Sequence, residues 1–361
     1  KVCRRDDKTG LWPCEELAAA PVAASVQPAR TTFVAGNDKR ANEIAASLVL
    51  VTFDMPFSVA GITERNYHGT GIVVDAERGL VVVDRNTVPV AAGDVRLTFG
   101  GSIEVPGRVE YVHPLHNLAV VSFDPKALDG TPIRAVKFDT RELEPGEPVT
   151  VVGLGGDSRL RSLATYVATT DDVNFPLSRT LQFRDANLEV VALVNSPSEF
   201  DGVITGKDGR VRALWSSFAT EGARDAVQVN RGMPASVVLE AVAAARDDKP
   251  LYSLETEFEA LPIAAARKLG LPAEWVEKLE QRNPAHRQVL AVARVAAGSG
   301  AASVLQEGDL LLAVNGVTLN RFREVEEATQ SPRVQVTVLR DGAEKVVDVE
   351  TAALRGEDID R

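Results

Sequence analysis

The chain has 361 residues, of which 45% are hydrophobic and 25% charged, and its formal net charge at pH 7 is −11. This composition is typical of a globular protein, and the length allows two or three domains. The negative charge argues against general nucleic-acid binding, which needs clustered positive charge, and no apolar run approaches the roughly 20 residues that a membrane span requires.

Residues 1–32 lack strand or helix periodicity and are predicted to be an extension or linker. The chain begins at Lys1 rather than at a methionine, which indicates processing or a cut from a longer protein. Cys3 and Cys14 are its only cysteines, and no nearby histidine completes a zinc site. They form either a local disulfide, which would indicate the periplasm or another extracytoplasmic compartment, or a pair of reduced thiols near a domain junction.

Short strand patterns recur between about residues 46 and 218, separated by Gly, Pro, Asp or Asn. The clearest runs are residues 47–53, 69–75, 79–84, 95–99, 107–112, 117–123, 148–155 and 210–215. Strands of this length and spacing predict antiparallel barrels or sandwiches. A break near 126–132 divides the region into two halves of similar size.

A helical pattern over residues 234–246 follows, behind a Gly-Met-Pro start that suits a helix N-terminus. The last unit, from about residue 251 to 351, combines strand and helix patterns and predicts a compact α+β domain. Its features are a short strand at 251–258, helices at 261–271 and 321–329, and strands at 290–295, 334–339 and 345–351. Arg340-Asp341-Gly342 between two alternating runs predicts a hairpin turn.

Seven segments carry a family resemblance. They are Gly69–Asp75, Gly79–Val88, His113–Val121, Asp208–Trp215, Gly298–Ala302, Glu307–Asp309 and Asn315–Gly316. They resemble the HtrA/Deg-type trypsin-like serine proteases, in which a chymotrypsin-like double β-barrel precedes PDZ domains. The resemblance covers about residues 45–350 and is greatest to the degenerate second unit of long HtrA-like proteins with two protease units.

The resemblance implies a mainly β fold with a definite division of the chain. Residues 33–232 would form a degenerate trypsin-like domain of two barrels, split near 126–132. Residues 233–249 would form a linking helix, and residues 250–355 a PDZ-like domain.

The family's three catalytic positions fall on Asn86, Asn117 and Phe200. An amide at Asn86 cannot accept a proton near neutral pH, an amide at Asn117 cannot stabilise an imidazolium, and a benzyl group is no nucleophile. Phe200 could fill the space of a substrate carbonyl, and Asp201 would bring negative charge to an oxyanion pocket. The resemblance therefore predicts a pseudoprotease without catalytic residues.

A shifted register leaves a second interpretation open, in which Ser196 or Ser198 pairs with His113 or His116. The alternative is that these serines lie in turns and the histidines on a solvated loop. The other histidines, His68 and His286, show no catalytic or metal-binding spacing. The Asp84-Arg85 pair is interpreted as a turn or surface pair and not as a substitute dyad. No nucleotide-binding or zinc-protease motif occurs, so no cofactor or metal is predicted.

A PDZ domain binds a peptide by adding it to the edge of a sheet, beside a loop whose N–H groups take a terminal carboxylate. By resemblance, the peptide-binding residues are Leu251, Tyr252, Ser253, Leu254, Phe322 and Val325. Tyr252 replaces the expected glycine, and Pro250 removes one donor. An insertion at 272–288 is either a helix over the groove or a solvated decoration, and the whole unit could instead be a packing domain.

The sequence therefore predicts a non-catalytic module that binds or presents peptides and proteins. It would regulate or scaffold an active HtrA-type protease domain, in cis or in trans, in protein quality control, and self-association into a homo-oligomer is expected from the resemblance. The alternative is a serine endopeptidase whose active domain lies outside this chain or uses an unrecognised Ser/His pair.

Overall fold

Two short strands are the first elements of the computed structural model, which describes residues 2–3, 14–15, 29–33, 38–55, 66–173, 186–221 and 226–355. Strands β1 (Val2–Cys3) and β2 (Cys14–Glu15) are antiparallel, with Cys3 opposite Cys14. Most of the predicted extension lies outside the described residues. Helix α1 (Lys39–Ala45), which no pattern predicted, begins after Asp38, whose carboxylate accepts two backbone N–H groups of its first turn.

The first barrel is closed by six antiparallel strands in the order β3-β4-β5-β8-β7-β6. The strands are β3 (Leu48–Asp54), β4 (Asn66–Asp75), β5 (Leu80–Val83), β6 (Asp94–Phe99), β7 (Ile103–Val112) and β8 (Ala119–Phe123). Alternate residues of a strand share one face, so Val49, Val51 and Phe53 of β3 all enter the same core. All six strands overlap runs predicted from the sequence.

The second barrel follows a short 3-10 helix (Pro125–Leu128) and closes in the order β10-β11-β14-β13-β12-β9. Its strands are β9 (Pro148–Leu154), β10 (Leu160–Val173), β11 (Leu188–Leu193), β12 (Asp201–Thr205), β13 (Val211–Glu221) and β14 (Ala226–Pro234). The buried Trp215 belongs to its core. The predicted mainly β chain with a chymotrypsin-like double barrel is confirmed.

Helix α2 (Ala235–Asp247) packs on a core shared by the two barrels. Its Val238 is fully buried in the same cluster as Leu48 of the first barrel and Val152 of the second. The helix begins after Pro234, whose ring restricts φ to a helix-compatible value.

The C-terminal unit is built on a sheet in the order β16-β17-β18-β20-β21, with β19 beside β18 and a separate β15-β22 pair. Its elements are β15 (Leu251–Ser253), β16 (Thr256–Pro262), α3 (Ile263–Lys268), α4 (Ala273–Arg282), β17 (Gln288–Val295), β18 (Leu310–Val314), β19 (Val317–Thr318), α5 (Phe322–Ala328), β20 (Arg333–Arg340), β21 (Ala343–Glu350) and β22 (Ala352–Leu354). The strand predicted at 251–258 is two strands, because Glu255 adopts a left-handed φ of 49° that breaks the extended chain. The predicted hairpin is confirmed, since Asp341 and Gly342 both have positive φ, as a type I′ turn requires.

Helix α4 shows that the 272–288 insertion is neither a helix over the groove nor a solvated decoration. Its Trp275 and Leu279 pack in one cluster with Leu310 of β18. The next residue of that strand, Leu311, packs instead in the cluster that contains Phe322 of α5. Successive residues of a strand face opposite sides, so α4 covers the face of the sheet away from α5, as part of the core. None of the helices in the described ranges is long and apolar enough to cross a bilayer.

Candidate functional site

Asn86 and Asn117, from the first barrel, both lie against Ser217 of the second. Asn86 Nδ2 donates to the Ser217 carbonyl oxygen at 2.8 Å, and Asn117 Nδ2 donates to the same oxygen at 2.6 Å. Asn117 Oδ1 accepts the backbone N–H of Arg85 at 2.8 Å. The structure thus brings two of the three positions that were predicted to be degenerate together between the barrels. Their side-chain amides have no basic atom that could take a proton there.

Phe200, at the third position, is half-buried and packs against the core of the second barrel. The ring fits there because Gly153 has no side chain: a Cβ at Gly153 would lie 2.8 Å from Phe200 Cδ2 and 1.8 Å from the Asp201 carbonyl oxygen. The preceding loop is held by Trp215, whose Nε1 donates to the Pro197 carbonyl oxygen at 3.1 Å.

Two carboxylates lie beside these residues, Asp84 buried and Asp201 half-buried. Asp84 and Arg85 are only 3% and 5% exposed, so they are not a surface pair. The predicted turn is present, because the Asp84 carbonyl oxygen accepts the backbone N–H groups of Thr87 and Val88. The Asp84 carboxylate accepts the N–H and the hydroxyl of Ser217 at 3.0 and 3.2 Å and the N–H of Thr87 at 2.8 Å. The Asp201 carboxylate accepts one bond, from Asn230 Nδ2 at 2.9 Å.

Burial raises the pKa of both carboxyl groups. Burial and the nearby Asp84 charge raise the pKa of Asp201 to about 8. Burial also raises the pKa of Asp84, but its accepted hydrogen bonds oppose that rise. Because Asp84 accepts more hydrogen bonds from the described residues than Asp201 does, its charged form is the better stabilised of the two.

The Gly-Thr-Gly motif of β4 explains how the barrels meet here. A Cβ at Gly69 would lie 2.1 Å from Thr87 Oγ1 and 3.2 Å from Asp201 Oδ2, so only glycine leaves room for both side chains. Between the two glycines, Thr70 Oγ1 donates to the Leu154 carbonyl oxygen at 3.2 Å and accepts the Leu154 N–H at 3.0 Å. The motif therefore joins a strand of each barrel directly.

His113 and His116 do not lie on the solvated loop that one interpretation of the sequence expected. Ser196 and Ser198 are exposed, but His113 and His116 are only 2% and 1% exposed. His113 Nδ1 accepts the backbone N–H groups of Leu115 and His116 at 3.1 and 2.9 Å. Burial, together with the charges of His116, Arg85 and Arg323, holds the pKa of His113 well below its ordinary value. Within the described ranges, neither serine hydrogen-bonds to a histidine.

The remaining two histidines lie in different units. His68 is exposed on β4 of the first barrel. His286 lies in the C-terminal unit, where its carbonyl oxygen accepts Asn320 Nδ2 at 2.8 Å. The structure therefore does not bring these histidines together.

The predicted peptide-binding residues line one cavity of about 310 Å³ between β16 and α5. They are Leu251, Tyr252, Ser253, Leu254, Phe322 and Val325. The barrels complete its wall with residues that no sequence pattern singled out, including Pro114, Leu115 and Asn187. The groove thus faces the protease-like body.

Ion pairs hold the groove helix α5 on the barrels and on helix α2. His116 Nε2 lies 2.6 Å from Glu326 Oε1, and Arg323 Nη2 lies 2.5 Å from Glu240 Oε2. Arg321, just before α5, bonds both Glu189 and Glu142 across the same boundary. These partners are 83 to 210 residues apart in sequence, so no local pattern could have revealed them.

Comparison with known proteins agrees with this architecture. A PDZ domain model matches residues 277–339, which excludes β15 and β16 of the groove. A PDZ domain-containing protein of Schizosaccharomyces pombe is 32% identical over 97% of this chain. The HtrA-type protease AlgW, solved with a tripeptide, superposes with a TM-score of 0.62 at 15% identity, covering 87% of this chain and 96% of that one. The chain therefore has the fold of HtrA-type proteases and carries a PDZ domain.

Other relatives bear protease names. A pro-apoptotic serine protease of Phaeosphaeria nodorum is 31% identical over 100% of this chain, and protease Do-like 7 of Arabidopsis thaliana is 32% identical over 83% of it. The chain spans only 36% of the fungal relatives and 31% of the plant one. It therefore corresponds to about a third of each of these longer relatives.

Proposed function

We propose that this chain is a non-catalytic module of a longer HtrA-type protein. Its barrels carry a degenerate catalytic site, and its PDZ groove binds or presents peptide segments. In this way it regulates or scaffolds an active HtrA-type protease domain, which lies in the same polypeptide or in a partner. Self-association into a homo-oligomer belongs to the same proposal.

The observation that carries the proposal is the shared use of one carbonyl oxygen by Asn86 and Asn117. A serine protease needs a base and a carboxylate at these two places, and here both positions supply amide donors. The nearest carboxylates do not replace them, because Asp84 is engaged by Ser217 and Thr87. Peptide binding is supported by the cavity that the six predicted groove residues line.

A fluorophosphonate probe tests the loss of activity, because it labels an activated serine covalently. We expect the whole chain not to react, while an active HtrA-type protease reacts in parallel as a control. Labelling that disappears in Ser196→Ala or Ser198→Ala would instead establish an unrecognised nucleophile and overturn the proposal.

The names of the relatives favour a second candidate for the longer protein, namely a serine endopeptidase whose active domain lies outside this chain. Proteolysis of a casein substrate separates the two contributions. We expect the full protein to retain cleavage when Asn86 and Asn117 are both changed to alanine, and to change its rate when residues 33–355 are deleted. A rate unaltered by the deletion would contradict a regulatory role.

A further inference from the structure

The outer edge of β16 is already hydrogen-bonded, and its partner is a side chain of the second barrel. Asn187 Nδ2 donates to the Thr256 carbonyl oxygen at 2.7 Å, and Asn187 Oδ1 accepts the Phe258 N–H at 2.8 Å. Since β16 is an end strand of the sheet, an added peptide strand would need these same outward groups. A peptide must therefore displace the Asn187 amide before it can extend the sheet.

The loop end of the groove, where a PDZ domain takes a terminal carboxylate, is bridged by Gln330. Gln330 Oε1 accepts the Tyr252 N–H at 3.1 Å, and its Nε2 donates to the carbonyl oxygens of Tyr252 and Glu326 at 2.9 and 2.8 Å. The side chain thus joins β15 to the C-terminal part of α5 across the groove. Nearby, the Glu255 N–H donates to Ser253 Oγ at 3.0 Å. The chain's own side chains therefore engage the backbone donors of Tyr252 and Glu255.

The charges around the groove also oppose a carboxylate. Its charged lining residues are three acids, Glu255, Glu257 and Glu326, and one base, Arg294. Arg294 is already paired with Glu257. Although burial opposes it, the charges of His116 and Arg323 hold the pKa of Glu326 below its ordinary value, so this carboxylate remains ionised. Glu257 and Glu326 are both engaged in ion pairs. The lining acid that would meet a free peptide C-terminus with like charge is therefore Glu255, for which the described residues supply no ion pair.

From these contacts we propose that the groove accepts an internal or end-blocked peptide strand, which replaces Asn187 on β16, and that it discriminates against a free C-terminal carboxylate. The proposal rests on the peptide binding proposed above and names the ligand class of that groove. The peptide's backbone groups would take over both bonds of Asn187, and its chain would continue past the loop end instead of terminating there.

Two peptide display formats test the ligand class on the whole, unmodified chain. A random library is displayed with free C-termini and, in parallel, embedded between flexible flanks, and each selected sequence is then synthesised with a free carboxylate and with a terminal amide. We expect selection from the embedded format and about tenfold or greater preference for the amide form. Selection of free C-termini, or tighter binding of the carboxylate form, would overturn this inference while leaving peptide binding intact. Failure of both formats would overturn the proposed peptide binding itself.

Two variants test the residues that carry the proposal. Asn187→Ala should tighten binding of the selected amide peptide several-fold, because a competing partner of β16 is removed, whereas the exposed Asn195→Ala should not. Gln330→Ala should reduce the preference for the amide form, because the Tyr252 N–H becomes available to a carboxylate. An unchanged affinity in the first variant, or an unchanged preference in the second, would contradict the role assigned to that residue.

Discussion

His116 and Glu326 form a buried pair across the boundary between the first barrel and the groove helix, with Nε2 and Oε1 2.6 Å apart. His116 directly precedes Asn117 of the proposed degenerate site, and Glu326 lines the proposed peptide groove. The pair therefore connects the two regions on which the proposals rest.

Removal of this pair should destabilise the protein. We expect Glu326→Gln to lower the free energy of unfolding by about 2 kcal/mol, because a buried charge pair loses one partner. Urea denaturation measures the loss, and the exposed Arg333–Glu350 pair provides the control, since Arg333→Ala should cost less than about 1 kcal/mol. Equal effects of the two substitutions would contradict a structural role for the buried pair.

The lowered pKa of Glu326 also leads to a prediction about the stability of the protein in acid. The folded-state pKa of Glu326 lies below the ordinary value. The carboxylate therefore contributes to folding stability above its unfolded-state pKa, and this contribution is lost as the pH falls through the folded-state pKa. Unfolding midpoints measured between pH 7 and pH 3 should therefore fall less steeply in Glu326→Gln than in the parent chain. Parallel curves for the two proteins would be inconsistent with this assignment.

Asp201 should produce the opposite pH dependence. Its folded-state pKa is raised to about 8, so the folded protein binds a proton that the unfolded chain releases near the ordinary aspartate pKa of 3.8. Stability from this proton is complete at low pH and is lost as the pH rises through about 8. We expect Asp201→Asn to unfold at similar urea concentrations to the parent chain at pH 5 and at clearly higher ones at pH 9. The exposed Glu199→Gln in the same loop serves as control, and a similar gain in that variant would argue against Asp201 as the source.

Gly71 is predicted to be essential to the first barrel for steric reasons. A Cβ there would lie 2.6 Å from a methyl carbon of both Val51 and Val81. Gly71→Ala should therefore destabilise the chain by about 1–3 kcal/mol, as overpacking of a core does. Adding Val81→Ala removes one of the two clashes, so the double variant should lose less stability than the sum of the single variants. Strict additivity in thermal melts would show that the clash is relieved in another way.

Cys3 and Cys14 should form a disulfide. The antiparallel register places the two residues opposite each other, and paired residues of antiparallel strands have Cα separations within the range that a disulfide bridges. We expect the intact mass to increase by the two hydrogens of the thiols only after reduction, and alkylation to require reductant. Two thiols that alkylate without reductant would remove the argument for an oxidising compartment.

The sequence alone was sufficient for the features that depend on neighbouring residues. The alternating runs predicted every strand of the first barrel. The Asp341-Gly342 dipeptide predicted the turn between β20 and β21, because only a few residues accept positive φ. The same patterns did not single out β10, β11, β12 and β14, and they joined β15 and β16 into one strand across Glu255. The family resemblance identified Asn86 and Asn117, which the fold then brought together on Ser217.

The tertiary structure alone decided which polar groups are buried and what they contact. His113 and Asp84 follow strand patterns that suit a surface turn, yet packing of one unit on another removes them from solvent. Asn187 bonds to a strand that begins 69 residues later, and His116 to a helix 210 residues away. Such contacts depend on how whole units pack, which local conformational preference does not encode. The sequence could therefore predict a chain without catalytic residues from the residue types alone. That Gln330 bridges the loop end of the groove became apparent only in the fold, because this contact joins residues 78 positions apart.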